Sequence, residues 1–217
     1  MLRAQHSRSP AATIELSLAS PMFRELGPDA RELLGVTAFF PQGVNEEDID
    51  WLFPAISDGP NTFDTFCVLS LTYRTSGFMT MLAPLRDYLR PKDPTSSLLL
   101  GATEERYFSR LSVEIYPDKS DFEESQWITS EDVNVGHLLD VFTSIDADSK
   151  NAWDVCARFM EHLYWHKPRL VALGPKIEAL PDDNPSKTQC LGDLSRLFYS
   201  IGNWVEYERL LTHTLKL

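Results

Sequence analysis

Apolar residues recur along most of this chain at three- and four-residue spacing, and Pro, Gly, Asp or Asn interrupts them at short intervals, which predicts a succession of short helices. Ile14 to Phe23 predicts the end of a helix that packs on something before it, stopped by Pro21. After Gly27-Pro28-Asp29, Ala30, Leu33, Leu34, Val36 and Thr37 predict a buried helix that Pro41 closes. Asn45 and the acids Glu46, Glu47 and Asp48 precede Ile49, Trp51, Leu52 and Phe53, a capping residue and first-turn charges that predict a short helix over 45–53. Phe63, Phe66, Cys67 and Leu69 to Leu71 give a third helical face over 61–73. Arg74-Thr75-Ser76-Gly77 predicts a tight turn, Phe78 to Leu82 alternates as a short strand does, and Pro84 to Leu89 returns to helix. Three helices, a strand or hairpin and a closing helix make the order of a winged helix.

Pro91, Pro94 and the Ser/Thr residues near them predict a boundary, beyond which no strand pattern occurs. Segments 104–114, 133–145, 152–165, 169–179, 188–200 and 205–215 each carry a helical apolar stripe. In the last two, Leu191, Leu194, Phe198, Gly202, Tyr207 and Leu211 keep the offsets of a tetratricopeptide-type hairpin with Gly202-Asn203 as its turn. The expected fold class is mostly α. Residues 1–20 form a leader and the end of a preceding helix, 21–92 a winged-helix-like domain, and 93–217 a helical-repeat, solenoid-like array with a tetratricopeptide-like hairpin at 188–217.

Composition narrows the partners. Hydrophobic residues make up 43% and charged residues 24%, enough for packed cores. Twenty Lys plus Arg face 32 Asp plus Glu, a net charge of -12 that repels phosphate backbones and anionic lipid, so neither nucleic acid nor membrane is an expected partner. The basic residues stand singly or beside acids, and no apolar run approaches the roughly 20 residues of a membrane span. Cys67, Cys156 and Cys190 lie too far apart for a zinc knuckle or a disulfide framework and fit a reducing, cytoplasmic compartment.

Catalytic signatures are missing from these residues. No G-x-x-x-x-G-K-[ST] string is present to cradle phosphates, no Gly-rich loop follows a strand, and no G-x-S-x-G elbow or catalytic-thiol signature occurs. His162 and His166 share a helical face with Glu161 beside the first, but no third ligand is evident, and the pair reads as structural. Trp153, Phe159, Tyr164 and Trp165 read as core rather than a ligand cage. Neither catalysis nor a cofactor is expected.

From Pro28 to Leu89 the chain resembles the winged-helix subdomain of NB-ARC-type STAND signalling ATPases, particularly versions from mushroom-forming fungi that continue into helical repeats. The resemblance rests on Leu33 to Pro41 as the family's first helix closing on Phe-Pro, Asp64 to Thr72 as its third helix, and Phe78 to Tyr88 as the strand and helix around its Met-His-Asp motif. It implies a winged helix that packs on a nucleotide-binding core in the ADP state. Met81 matches the motif's Met, but Leu82 stands at the histidine position and Ala83 at the aspartate position, which leaves Arg86 as the nearest polar contributor. It further implies that the phosphate-binding core lies before residue 1.

The expected role is therefore a non-catalytic regulatory segment with protein partners, among them an upstream NB-ARC core, acting as a hinge between a nucleotide switch and a repeat sensor. A stand-alone helical scaffold is the alternative. A DNA-reading winged helix is disfavoured because residues 61–73 contain Asp64 and no Lys or Arg.

Overall fold

The computed structural model describes residues 10–90, 98–114, 122–145, 150–169 and 172–217. The expected leader up to residue 9 and the boundary around Pro91 to Pro94 lie outside the described residues. The chain forms two compact units that divide between Thr103 and Glu104.

The first unit opens with α1 (Pro10–Leu18) and α2 (Pro21–Glu25), separated where Pro21 begins a new first turn and the Ser20 hydroxyl caps it by accepting from the Phe23 amide. Next come α3 (Asp29–Thr37), β1 (Val44–Asn45), a single 3-10 turn (Glu46–Asp48), α4 (Ile49–Leu52), α5 (Gly59–Val68), β2 (Tyr73–Thr75), β3 (Phe78–Thr80) and α6 (Ala83–Leu89). The three strands form an antiparallel sheet in the order β1-β3-β2, with Val44 opposite Met79 and Arg74 opposite that same residue on the other side. This is the helix, strand, helix, helix, hairpin order of a winged helix.

Two departures from the sequence reading have clear causes. The third helix stops at Val68 rather than continuing to Tyr73: Ser70 takes a positive φ of 58°, its amide bonds the Cys67 carbonyl, and the Leu71 amide bonds that of Phe66. This Schellman closure frees Tyr73 to begin β2. Arg74 and Thr75 are consequently strand rather than turn, and the turn itself is the pair Ser76 and Gly77, both left-handed at φ 51° and 82°, as a two-residue type I′ hairpin requires.

Phe39, Phe40, Phe53, Phe63, Phe66, Leu33, Leu34 and Met79 are buried together, and Phe63 meets Phe66 edge to face at 5.6 Å between centroids. Gly43 (φ 100°) lets β1 approach β3: a Cβ there would lie 2.6 Å from the Met79 carbonyl oxygen. Neither alanine nor any larger residue fits without moving backbone.

The second unit contains most of α7 (Leu98–Glu114), followed by α8 (Phe122–Ile145), α9 (Lys150–His166), α10 (Gly174–Ala179), α11 (Lys187–Ser200) and α12 (Trp204–Thr214). Within it α8 packs on α9, α9 on α11, and α11 on both α10 and α12. Helices α7 and α8 start earlier than expected from the apolar stripes alone. Helix α10 starts later, at Gly174, with Pro175 in its first turn, where a missing N–H and a fixed φ suit a helix start.

The α11–α12 hairpin has the expected turn. Gly202 (φ 78°) bonds the Tyr199 carbonyl, Asn203 bonds that of Phe198, and the Asn203 side chain then accepts from the Glu206 amide to cap α12. Leu191 and Leu194 are buried as the hairpin pattern requires, but Leu210 rather than Leu211 fills the seam, and Leu211 faces outward. Among the described residues no helix is long and apolar enough to cross a membrane.

Two glycine substitutions separate backbone demand from helix propensity. Gly43→Ala is expected to destabilise the protein by about 2–4 kcal/mol, combining left-handed strain with the clash on β3. Gly192→Ala, inside α11 with nothing within 4 Å of the added methyl, is expected to stabilise it by roughly 0.5–1 kcal/mol. Urea unfolding of the two variants beside the parent chain measures both.

Candidate functional site

The degenerate motif sits where β3 hands over to α6. Met81 is buried at the end of the strand, whereas Leu82 occupies the extended N-cap of α6 with 60% of its surface exposed and Ala83 is exposed beside it. An apolar side chain at that cap accepts no amide hydrogen bond, and Leu82 makes none. The motif therefore presents a small apolar surface where the resembling family has polar groups.

Arg86 does not point toward that surface. Its Nη2 donates to the main-chain carbonyl of Pro41 at 2.8 Å and to that of Met81 at 3.1 Å. One turn on, Arg90 Nη2 donates to the Ala38 carbonyl at 3.1 Å, and its guanidinium lies 5.2 Å from the centroid of the Phe39 ring. Burial, then the neighbouring Arg86 charge, lowers the Arg90 pKa. Both arginines thus hold α6 against the chain leaving α3 by satisfying carbonyls that no helix or strand partner reaches. Nη2 of Arg86, the residue expected as a polar contributor to a ligand latch, is engaged by main chain, while its buried Nε has no hydrogen-bond partner.

On the other side of the sheet the wing's one cation is likewise engaged. Arg74, on β2, pairs with Glu46 at 3.1 Å and with Asp64 on α5. These two carboxylates raise its pKa, Asp64 first. Between residues 10 and 90 there are eleven acids against five arginines and no lysine. A helix meant for a DNA groove offers cations or amides to phosphate and bases, whereas α5 carries no cation: its Asp64 holds Arg74 of β2, and its amide Asn61 is bonded to the capping Asp58.

The second unit holds polar groups that periodicity gave no reason to single out. Glu131 and Asp132 on α8 are both buried. Glu131 accepts from the Tyr107 hydroxyl at 3.0 Å and from Asn134 at 2.7 Å. Asp132 pairs with Lys167 and Arg169, each at 3.2 Å, and Arg169 also donates to the Asp132 carbonyl at 3.0 Å. These bonds pin the segment after α9 onto α8. Nothing in the local pattern marked these two acids for burial.

His162 and His166 stack one turn apart, with ring centroids 4.6 Å from each other. Among the described residues no group of three or more His, Cys, Asp or Glu side chains is placed to hold a metal ion. Burial lowers the His162 pKa to about 4, with His166 adding to the shift and Asp132 opposing it. On α11, burial raises the Asp193 pKa to about 6, partly offset by Arg196 at 3.1 Å. Cys156 and Cys190 are both buried free thiols, and Cys190 donates to the Trp153 carbonyl at 3.5 Å.

The two shifted groups drive stability in opposite directions with pH. His162 takes a proton in the unfolded chain below its ordinary value of 6.5 but not in the folded one until about 4, so its contribution is lost as pH falls through that window. Asp193 keeps its proton in the folded state up to about 6, against 3.8 ordinarily, so its contribution is lost as pH rises from 3.8 through 6. Asp193→Asn is therefore expected to stabilise the protein at pH 7 by about 1–2 kcal/mol. The same variant should lose stability more steeply than the parent between pH 6 and 4.5, read from urea midpoints across that range. Compared with models of protein families, with curated proteins and with solved structures, the chain matches none.

Proposed function

We propose that this chain is a non-catalytic, protein-binding regulatory module of the NB-ARC-type signalling class, a winged helix coupled to a helical-repeat sensor and working in the cytoplasm. The observation that carries the reading is the apolar surface of Leu82 and Ala83 at the start of α6, on a winged helix whose α5 face is acidic. A surface of that kind suits packing on another protein and suits neither phosphate nor DNA. The resemblance of Pro28 to Leu89 to the family's winged helix supplies the partner class, a nucleotide-binding core in its ADP state. No P-loop string exists in these 217 residues, so the chain's own part is to present packing surfaces whose contacts differ between two states of that core.

The α11–α12 hairpin favours a second reading, a helical scaffold independent of any ATPase, because α12 leaves Trp204, Val205 and Leu211 exposed.

Titration calorimetry separates the two. An ADP-loaded NB-ARC core is expected to bind the chain, and Leu82→Asp is expected to weaken binding roughly tenfold or more while leaving the circular dichroism spectrum intact. Absence of binding to the core sinks the first reading. Tight binding of ATP or ADP by the chain alone, or salt-sensitive DNA binding, sinks both.

A further inference from the structure

Cys156 on α9 and Cys190 on α11 lie far apart in sequence, and the packing of α9 on α11 brings them together. The Cys190 Sγ donates to the Trp153 carbonyl at 3.5 Å, and Trp153 stands one turn before Cys156 on the same helix face. The two thiols meet there in a side-chain hydrogen bond, and both residues are fully buried. A cysteine buried alone is a small apolar filler. Two in contact from separate helices also meet the first requirement of a disulfide, that their side chains point at each other.

We infer that Cys156 and Cys190 are a modification site, a dithiol that a peroxide converts reversibly to a disulfide clamping α11 to α9. In the first step one sulfur attacks a peroxide oxygen, the O–O bond breaks, and a sulfenic acid forms as water leaves. The second sulfur then attacks the first: an S–S bond replaces the S–O bond, and the hydroxyl departs with the second thiol's proton as water. Both thiols together lose two electrons, and the peroxide is reduced to two waters. A small dithiol reverses the link by exchange.

The surroundings of the pair decide which oxidant fits and how fast it acts. Contact with Cys190, then burial, raises the Cys156 pKa, so thiolate is scarce while the seam between the helices is closed. Oxidation therefore runs through transient separation of α9 and α11, and a small uncharged oxidant such as hydrogen peroxide is the one that reaches the sulfurs. The new bond closes a long loop in the unfolded chain, a constraint that favours the folded second unit. In a reducing compartment such a link is transient and follows the oxidant.

Hydrogen peroxide applied to the folded full chain at neutral pH tests it, followed by alkylation in denaturant and peptide mapping. The peptide containing Cys156 is expected joined to the one containing Cys190, and dithiothreitol should return both as alkylatable thiols. The oxidised chain should melt roughly 10 °C higher than the same chain reduced. Cys156→Ala and Cys190→Ala should each abolish the link and the difference between oxidised and reduced melting, whereas Cys67→Ala, in the first unit, should change neither. Comparing oxidised with reduced material of one variant removes any packing cost of the substitution itself. Peroxide treatment that leaves Cys156 and Cys190 alkylatable overturns the inference. So does a link through Cys67, sulfinic or sulfonic acid in place of the link, or a link that does not raise the melting temperature.

Discussion

Helices of four to ten residues have almost no stability of their own in water, because the first turn costs more conformational entropy than its single hydrogen bond returns. The described α-helices α1 to α6 of the first unit fall in that range, so they depend on burying an apolar face. Phe53, Phe63 and Phe66 supply the shared surface, with Phe23 of α2 stacked on Phe66 at 5.9 Å. Aromatic pairs of this kind add about a kilocalorie beyond their area. The sheet follows from the same core: Met79, at the centre of β3, is buried while its backbone pairs on both sides.

Once the apolar faces meet, the remaining requirement is a partner for every buried main-chain polar group. The turn after α3 leaves the Ala38 and Pro41 carbonyls outside any ladder, and α6 answers with Arg90 and Arg86. Lys187 does the same in the second unit, where its buried amine donates to the Leu180 carbonyl at 2.5 Å and to Asp182 at 2.7 Å. Much of the scarce positive charge in this acidic chain is thus committed to its own backbone and carboxylates. Cations used this way are held by the fold itself.

Among the described residues, the second unit buries ionisable side chains and the first buries none. Glu131, Asp132, His162 and Asp193 are all buried. Buried ionised groups contribute little net stability compared with a hydrophobic replacement, but breaking one partner of a pair is costly. Their arrangement fixes which segments can lie against α8, since only a chain bearing Lys167 and Arg169 neutralises Asp132 at that place. The unit therefore has one defined packing between α8 and the segment after α9.

What the sequence determined by itself was local. The 3.6-residue apolar stripes located the helices, Asn45 was legible as a cap and Pro84 as a helix start, and the Gly202-Asn203 turn of the α11–α12 hairpin was placed correctly. The candidate site was legible only as far as identity: Leu82 and Ala83 at the two motif positions could be read, but not that one is exposed at a cap while Met81 beside it is buried. Tertiary structure decided what has no periodicity to betray it. Val44–Asn45 is too short to alternate and is a strand only because Gly43 lets it reach Met79. Leu210 and Leu211 are equally apolar neighbours, and which one enters the seam depends on the angle at which α12 meets α11. Glu131 and Asp132 look like surface acids until Tyr107, Lys167 and Arg169, distant in sequence, arrive to satisfy them. Periodicity reports the chemistry a helix face can bury, whereas the burial itself is set by partners the local pattern does not contain.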